Sequence, residues 1–273
     1  MQDEEKNINE VSNESERSQV TFMLEALPQN RKPKDSARIN YLAFAFGLIV
    51  LVLTIFIVQI IMKATLGTDD EIAFHAWTNF LTYVITFTAF VGFLLLTKSL
   101  APLVKPFKEI NPYLRGIFYG FVVIITSVTT TLLMQIIFGK AEENLNQQTI
   151  NLILSRYPVS SFLWIVLLGP IVEELTYRFG LFAAIAKKNN IAAYIISALI
   201  FGFLHFNVPM TDANTVDYAK LIEEFINIPG YIVSGLVFCF IYEKEGLAGS
   251  TVAHITNNLV SYIISLATLY AGQ

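Results

Sequence analysis

The stretch SSFLWIVLLGPIVEELTYRFGLFAAIA, residues 160–186, is apolar over most of its length but contains two adjacent glutamates and an arginine. A membrane-spanning helix needs about 20 mainly apolar residues, so this stretch is long enough to cross a bilayer. Its charged residues are Glu173, Glu174 and Arg178. A carboxylate at that depth costs about 3 kcal/mol, so it needs a partner or a water-filled cavity. The stretch therefore predicts a membrane helix that carries a polar site.

The composition of the whole chain agrees with this prediction. Of 273 residues, 54% are apolar and 15% are charged, and the mean hydropathy is +0.56. The apolar residues form long uncharged runs, which a soluble core does not need. The net charge of -4, with no basic stripe, excludes nucleic acid as a partner. We predict an all-α, polytopic transmembrane helical bundle in a cell membrane, with the lipid bilayer as its surroundings.

Seven apolar stretches follow a polar amino-terminal segment. Residues 1–38 are predicted to be a disordered cytosolic tail, and residues 39–273 a single transmembrane domain with a motif-bearing core at 160–262. The amphipathic stretch 144–154 can also dip into the membrane, which would give eight spans instead of seven. The seven predicted spans are 41–62, 78–97, 116–138, 160–186, 190–206, 225–242 and 247–270.

Lysine and arginine predict the orientation of these spans. They concentrate before the first span, between the second and third, and between the fourth and fifth. By the positive-inside rule these segments face the cytoplasm, so the amino terminus is inside and, with seven spans, the carboxyl terminus is outside. An eight-span arrangement would break this alternation in one loop.

Helical spacing separates the two glutamates of the fourth span. Glu174 and Arg178 are four residues apart and share a helix face, so they can form an ion pair. Glu173 points about 100° away and is the carboxylate left without that partner. Pro170 removes a backbone donor just before the pair, which can kink the helix.

Two histidines and an asparagine also lie within predicted spans. His254 and Asn258 are four apart and share a face, whereas Asn257 points elsewhere. In straight helices His205 and His254 would differ by about 10 Å in height. We therefore expect either a break near Gly180 or a later start of the fifth span.

One free carboxylate, two imidazoles and one carboxamide are the groups needed to activate a water and stabilise an oxyanion. Two other interpretations remain open. A zinc ion can be held by Glu173, His205 and His254, although the chain has no HExxH motif. Alternatively, the polar residues only hold the bundle together through an ion-pair network.

Three motifs occur in order along these spans: EExxxR at Glu173, Glu174 and Arg178, FxxxH at Phe201 and His205, and HxxxN at His254 and Asn258. Over about residues 160–262 the chain resembles the CPBP or Abi family of type II CAAX prenyl endopeptidases and bacteriocin-processing or bacteriocin-immunity membrane proteins. The resemblance implies an intramembrane endopeptidase, commonly with eight helices, in a bacterial plasma membrane. It also implies that the first glutamate and first histidine activate water, while His254 and Asn258 hold the oxyanion.

The resulting hypothesis is a glutamate-type endopeptidase that cuts a membrane-associated protein or peptide without a cofactor, with zinc as the alternative. A different class of function is a noncatalytic membrane scaffold or bacteriocin-immunity protein that binds a regulatory membrane partner. A proton-coupled transporter would also use buried acids and histidines, but the sequence has no inverted repeat to support it.

Overall fold

The computed structural model describes residues 37–66, 70–211 and 215–271. Across these residues the chain is helical, and its only extended pairing is an isolated bridge between Met210 and Val216. The all-α prediction is therefore confirmed. The predicted tail lies outside the described residues except for Ala37 and Arg38, with which the first helix begins.

Eight helices follow one another along the described chain. Five of them, α1, α2, α4, α6 and α8, are long and apolar enough to cross a membrane, whereas α7 has only 14 residues. The number of crossings stays a prediction. The helices are α1 (Ala37–Leu66), α2 (Glu71–Leu96), α3 (Leu100–Val104), α4 (Asn111–Phe138), α5 (Leu145–Arg156), α6 (Pro158–Ala186), α7 (Asn190–Phe203) and α8 (Tyr218–Ala271).

Helix α8 consists of two helices joined at Gly246. This glycine has a φ of 69°, a left-handed conformation that side chains with a Cβ atom rarely adopt. The two parts of α8 correspond to the sixth and seventh predicted apolar stretches. The second part begins close to the HxxxN motif and carries both of its residues.

Apolar side chains cover the outside of the helices. In α1, Phe56 is 63% and Ile60 is 66% exposed, while Ala43 on the inner side is fully buried. Such a surface is unfavourable in water and suits contact with lipid, where the helix satisfies its own backbone groups.

Two glycines bring α4 against the second part of α8. A Cβ atom at Gly116 would lie 2.6 Å from Val252 Cβ, and one at Gly120 would lie 2.6 Å from Thr256 Cβ. The GxxxG spacing therefore serves close helix packing within this chain.

Helix α6, which carries the EExxxR motif, is not a regular α-helix. Its segments Phe162–Leu168 and Glu174–Phe182 are π-helical and flank the α-helical turn Gly169–Glu173, which includes Pro170. The irregularity predicted at Pro170 is thus a widening of the hydrogen-bond ladder on both sides, and π-helical turns occur frequently at functional sites.

The expected break near Gly180 is wrong. The helical path continues through this residue, and a Cβ atom there would lie 2.8 Å from the Phe44 backbone nitrogen of α1. The fifth apolar stretch also begins at Asn190, as drawn from the sequence. Gly180 therefore permits the close approach of α1 rather than a change of direction.

Candidate active site

The predicted Glu174–Arg178 pair lies in the interior of the bundle. Nη1 of Arg178 is 3.4 Å from Oε1 of Glu174, and both side chains are fully buried. The guanidinium also lies 4.3 Å from the Phe201 ring centre and 5.1 Å from that of Phe238. These aromatic faces stabilise the buried cation in addition to the ion pair.

His254 joins this pair. Its Nδ1 lies 3.0 Å from Oε1 of Glu174, and its ring stacks on Phe238 with 4.4 Å between centres. Because Glu174 faces Arg178 and acts as an acceptor, Nδ1 of His254 is the donor in this hydrogen bond. Spacing within one helix did not predict this contact between α6 and α8.

Glu173 faces a cavity instead. Its side chain is 20% exposed, whereas that of Glu174 is fully buried. Oε1 accepts a hydrogen bond from the Tyr83 hydroxyl at 3.4 Å, and Nε2 of His254 lies 3.7 Å from Oε2. The structure thus separates the two adjacent carboxylates as the helical phase predicted, with His254 between them.

His205 lies two residues after the end of α7. Its Nδ1 is 2.9 Å from the Phe201 carbonyl oxygen, to which it donates, so Nε2 of the neutral ring carries the lone pair. The ring stacks on Tyr231 with 4.5 Å between centres. The ring centres of His205 and His254 lie 5.0 Å and 5.8 Å from that of Phe201, so both imidazoles pack against the same ring despite the height difference expected of straight helices.

Asn258 is held by two hydrogen bonds. Its Nδ2 donates to the Ile165 carbonyl at 2.9 Å, and its Oδ1 accepts from Asn257 Nδ2 at 2.9 Å. Asn257 also lines the cavity, so the expectation that it points elsewhere is wrong. The cavity is wide enough to receive two neighbouring positions of α8, although they differ by about 100° around the helix.

The cavity has a volume of about 520 Å³. Of the six predicted site residues, it contains Glu173, His205, His254 and Asn258 in its wall, while Glu174 and Arg178 are not part of the lining. A concave site of this size, with a few convergent polar groups, is typical of a ligand or substrate pocket.

Several cavity residues were missed by sequence reasoning. Tyr83 comes from α2 and stacks on Trp164, with 5.8 Å between ring centres. Asn144, at the start of α5, donates to the His205 carbonyl at 3.0 Å and accepts from the Tyr231 hydroxyl at 3.2 Å. These contacts join distant parts of the chain, so no spacing pattern in the sequence predicts them.

Glu224 is a second buried carboxylate, besides Glu174. The sequence placed it in a loop just before an apolar run, but it is only 3% exposed and accepts a hydrogen bond from the Leu145 backbone nitrogen at 2.6 Å. Glu224 therefore provides the acceptor for a backbone N–H at the start of α5. The stretch 144–154 forms part of the cavity wall.

The three predicted zinc ligands, Glu173, His205 and His254, all lie in the cavity wall. Within the described ranges, no three His, Cys, Asp or Glu side chains form a group suited to a metal ion. Nδ1 of His205 and Nδ1 of His254 both have protein partners. The zinc alternative stays a prediction for metal analysis to test.

Comparison with known proteins gives one curated relative and one family match. A curated relative, the UPF0177 protein YvdC of Lactococcus lactis subsp. lactis (strain IL1403), is 30% identical over 90 residues. This alignment covers 33% of the present chain and 34% of the relative, so the chain spans about a third of that protein's length. No solved structure gives a significant match.

Residues 155–260 match the family described as type II CAAX prenyl endopeptidase Rce1-like. All six predicted site residues lie within this segment. Together with the long apolar helices, the family match indicates a membrane protein. The resemblance predicted from the three motifs is therefore confirmed: residues 155–260, which carry all three, match the Rce1-like family.

Proposed function

We propose that this protein is an intramembrane endopeptidase of the plasma membrane that hydrolyses a peptide bond in a membrane-associated protein or peptide. The observation that carries the proposal is the placement of Glu173. Its carboxylate lies in a cavity, with one oxygen toward Tyr83 and the other toward His254. Behind His254, Glu174 and Arg178 hold the imidazole from the buried side.

In the proposed reaction, Glu173 removes a proton from a water molecule while the oxygen of that water attacks the substrate carbonyl carbon. The lone pair on Nε2 of His205 accepts a hydrogen bond from the second O–H of that water and orients it, and this hydrogen stays on the attacking oxygen. The proton that Glu173 took from the water then passes to the amide nitrogen as the carbon–nitrogen bond breaks. No cofactor enters this sequence of steps.

His254 and Asn258 are proposed to stabilise the oxyanion. In its protonated form, His254 donates from Nδ1 to Glu174 and from Nε2 into the cavity. The Asn258 amide uses one hydrogen for the Ile165 carbonyl, which leaves its second hydrogen for the substrate oxygen. Donors held in place before the reaction act without reorganisation, which is the main source of such stabilisation.

A noncatalytic scaffold is the second candidate function. The fully buried Glu174–Arg178 pair favours it, because such a network can serve only to hold helices in register. A scaffold would bind its membrane partner without needing the carboxylate of Glu173.

The Glu173→Gln variant separates the two functions. The amide is nearly isosteric with the carboxylate but cannot take a proton from water. In cells that make the wild type, mass spectrometry should detect new protein amino termini produced by cleavage. In cells that make Glu173→Gln these termini should be absent, while the amount of folded protein is unchanged. Glu71→Gln, a change at an exposed acid far from the EExxxR motif, is the matched control. Identical amino termini in wild type and Glu173→Gln would favour the scaffold.

A further inference from the structure

The cavity continues beyond the proposed catalytic residues as a cleft between α5 and the second part of α8. On α8 its wall carries Asn257, Ser261 and Ser265, which are four residues apart and share one face. On α5 the opposite wall carries Asn146 and Gln147. Nε2 of Gln147 lies 3.3 Å from Oγ of Ser265, where the two walls meet.

The spacing of these amide and hydroxyl groups matches an extended peptide. Residues four apart on a helix are separated by about 6 Å along its axis. Residues two apart on an extended strand are separated by about 6.6 Å and turn their backbone groups to the same side. Three such positions on α8 therefore match about five residues of extended chain, beginning about one turn after His254.

The side chains of fixed charge around the cleft are negative, and the proposed His254 cation is already paired with Glu174 on its buried side. Within the described ranges, the charged residues in its lining are Glu143 and Glu173, with no lysine or arginine. The start of α5 would attract an anion through its backbone N–H groups. These N–H groups already have acceptors, since Glu224 accepts from Leu145 N and Asn144 Oδ1 accepts from Gln147 N. Neutral His205, with its donor on the Phe201 carbonyl, offers only a lone pair.

We infer that the cleft binds an internal, extended stretch of substrate that carries no carboxylate near the bond to be cut. This inference rests on the proposed function. A CAAX sequence ends the substrate chain three residues after its cysteine, so its terminal carboxylate would lie within the cleft. A buried carboxylate without a cationic partner is unfavourable, and here it would also face two glutamates. Uncharged and basic residues fit on both sides of the cut bond.

The test uses the purified full chain in detergent and a mixture of random synthetic dodecapeptides with free carboxyl termini. Cleavage positions are mapped by mass spectrometry. We expect cuts at least four residues from the carboxyl terminus, with aspartate and glutamate depleted within three positions of the cut bond. Cuts that release carboxyl-terminal tripeptides would overturn the inference and leave the proposed function standing. If no peptide is cut and the wild type matches Glu173→Gln, the proposed function fails, and the inference fails with it.

One cleaved peptide is then made in three forms: ending three residues after the cut with a free carboxylate, ending there with an amide, and extended by six residues. We expect the free carboxylate form to react about tenfold more slowly than the other two, because its charge has no partner. Equal or faster cleavage of the free acid would contradict the inference.

A pair of neighbouring glutamates provides the matched variants. Both glutamates are exposed, but only Glu143 is part of the cleft lining. Glu143→Gln should reduce the discrimination against the free acid by about 2- to 5-fold, the range of a partly exposed charge interaction. Glu142→Gln should leave it unchanged. The same ratio in both variants would show that charge in the cleft does not select the substrate.

Discussion

Nδ1 of His254 lies 3.0 Å from Oε1 of Glu174, the same oxygen that faces the Arg178 guanidinium at 3.4 Å. This contact turns Nε2 of His254 toward Glu173, 3.7 Å away. Glu174 therefore has two tasks: it neutralises a buried arginine and it sets the orientation of the imidazole. A carboxylate that accepts from one ring nitrogen, and so fixes the orientation of the imidazole, is a recurring way to position a histidine for chemistry.

Glu174→Gln should reduce both stability and activity. Arg178 would remain fully buried without its counter-ion, and breaking a buried pair costs about 3–5 kcal/mol in the free energy of unfolding. Activity should also fall by at least about 100-fold, because His254 loses the acceptor that orients it. Thermal unfolding in detergent and peptidase rates are the measurements.

The double variant Glu174→Gln with Arg178→Met distinguishes these two effects. Removing both charges should restore most of the stability, because no uncompensated charge remains buried. Activity should stay low, since Nδ1 of His254 still lacks its carboxylate. Full recovery of activity with stability would mean that Glu174 serves only to hold the bundle.

Tyr83→Phe should lower kcat by about tenfold, with KM and thermal stability nearly unchanged. The hydroxyl donates to Oε1 of Glu173 at 3.4 Å and would position that carboxylate in the reaction. Hydrogen bonds to charged groups contribute about 1.5–3 kcal/mol, and apo sites often show them longer than in the working complex. Tyr194→Phe is the control, since it removes a tyrosine hydrogen bond to Glu243 away from the cavity. Equal losses of kcat in the two variants would mean that Tyr83 does not position Glu173 in the reaction.

Asn258→Ala should reduce the rate by about 100- to 1000-fold while the protein still folds and binds substrate. Removing one donor to an oxyanion typically costs about that much. His254→Ala should behave similarly, and His205→Ala should be at least as severe, because its imidazole would orient the water. Rates of the three purified variants, each with a check of folding, test this order.

A zinc centre predicts the reverse order. Amides are poor zinc ligands, so Asn258→Ala would be mild, whereas both histidine variants would lose a bound metal. Elemental analysis of the wild type, beside these rates, decides between the two. One firmly bound zinc per chain together with a nearly active Asn258→Ala would replace the metal-free mechanism.

The distribution of basic residues predicts the topology. A reporter fused after Gln273 should report the outer side of the membrane, and one placed between Lys187 and Asn190 the inner side. Paired alkaline phosphatase and fluorescent protein fusions measure this directly. An inner carboxyl terminus would contradict the seven-span arrangement.

The sequence by itself determined the helical membrane character and the main set of candidate site residues. Charges are costly in lipid, so Glu173, Glu174 and Arg178 stood out against an apolar background. Spacing within one helix then separated Glu173 from the Glu174–Arg178 pair, because residues four apart share a face whatever the helix packs against. The structure reproduces this separation.

Only the tertiary structure decided which groups of different helices meet. Tyr83 reaches Glu173 from α2, and His254 reaches Glu174 from α8. From the sequence, Glu224 was predicted to lie in a loop. Its burial comes from contacts with other helices, and the residues next to it in the sequence do not indicate those contacts. Periodicity relates residues along a single helix, whereas these contacts depend on how helices cross and on the π-helical turns that shift their side chains.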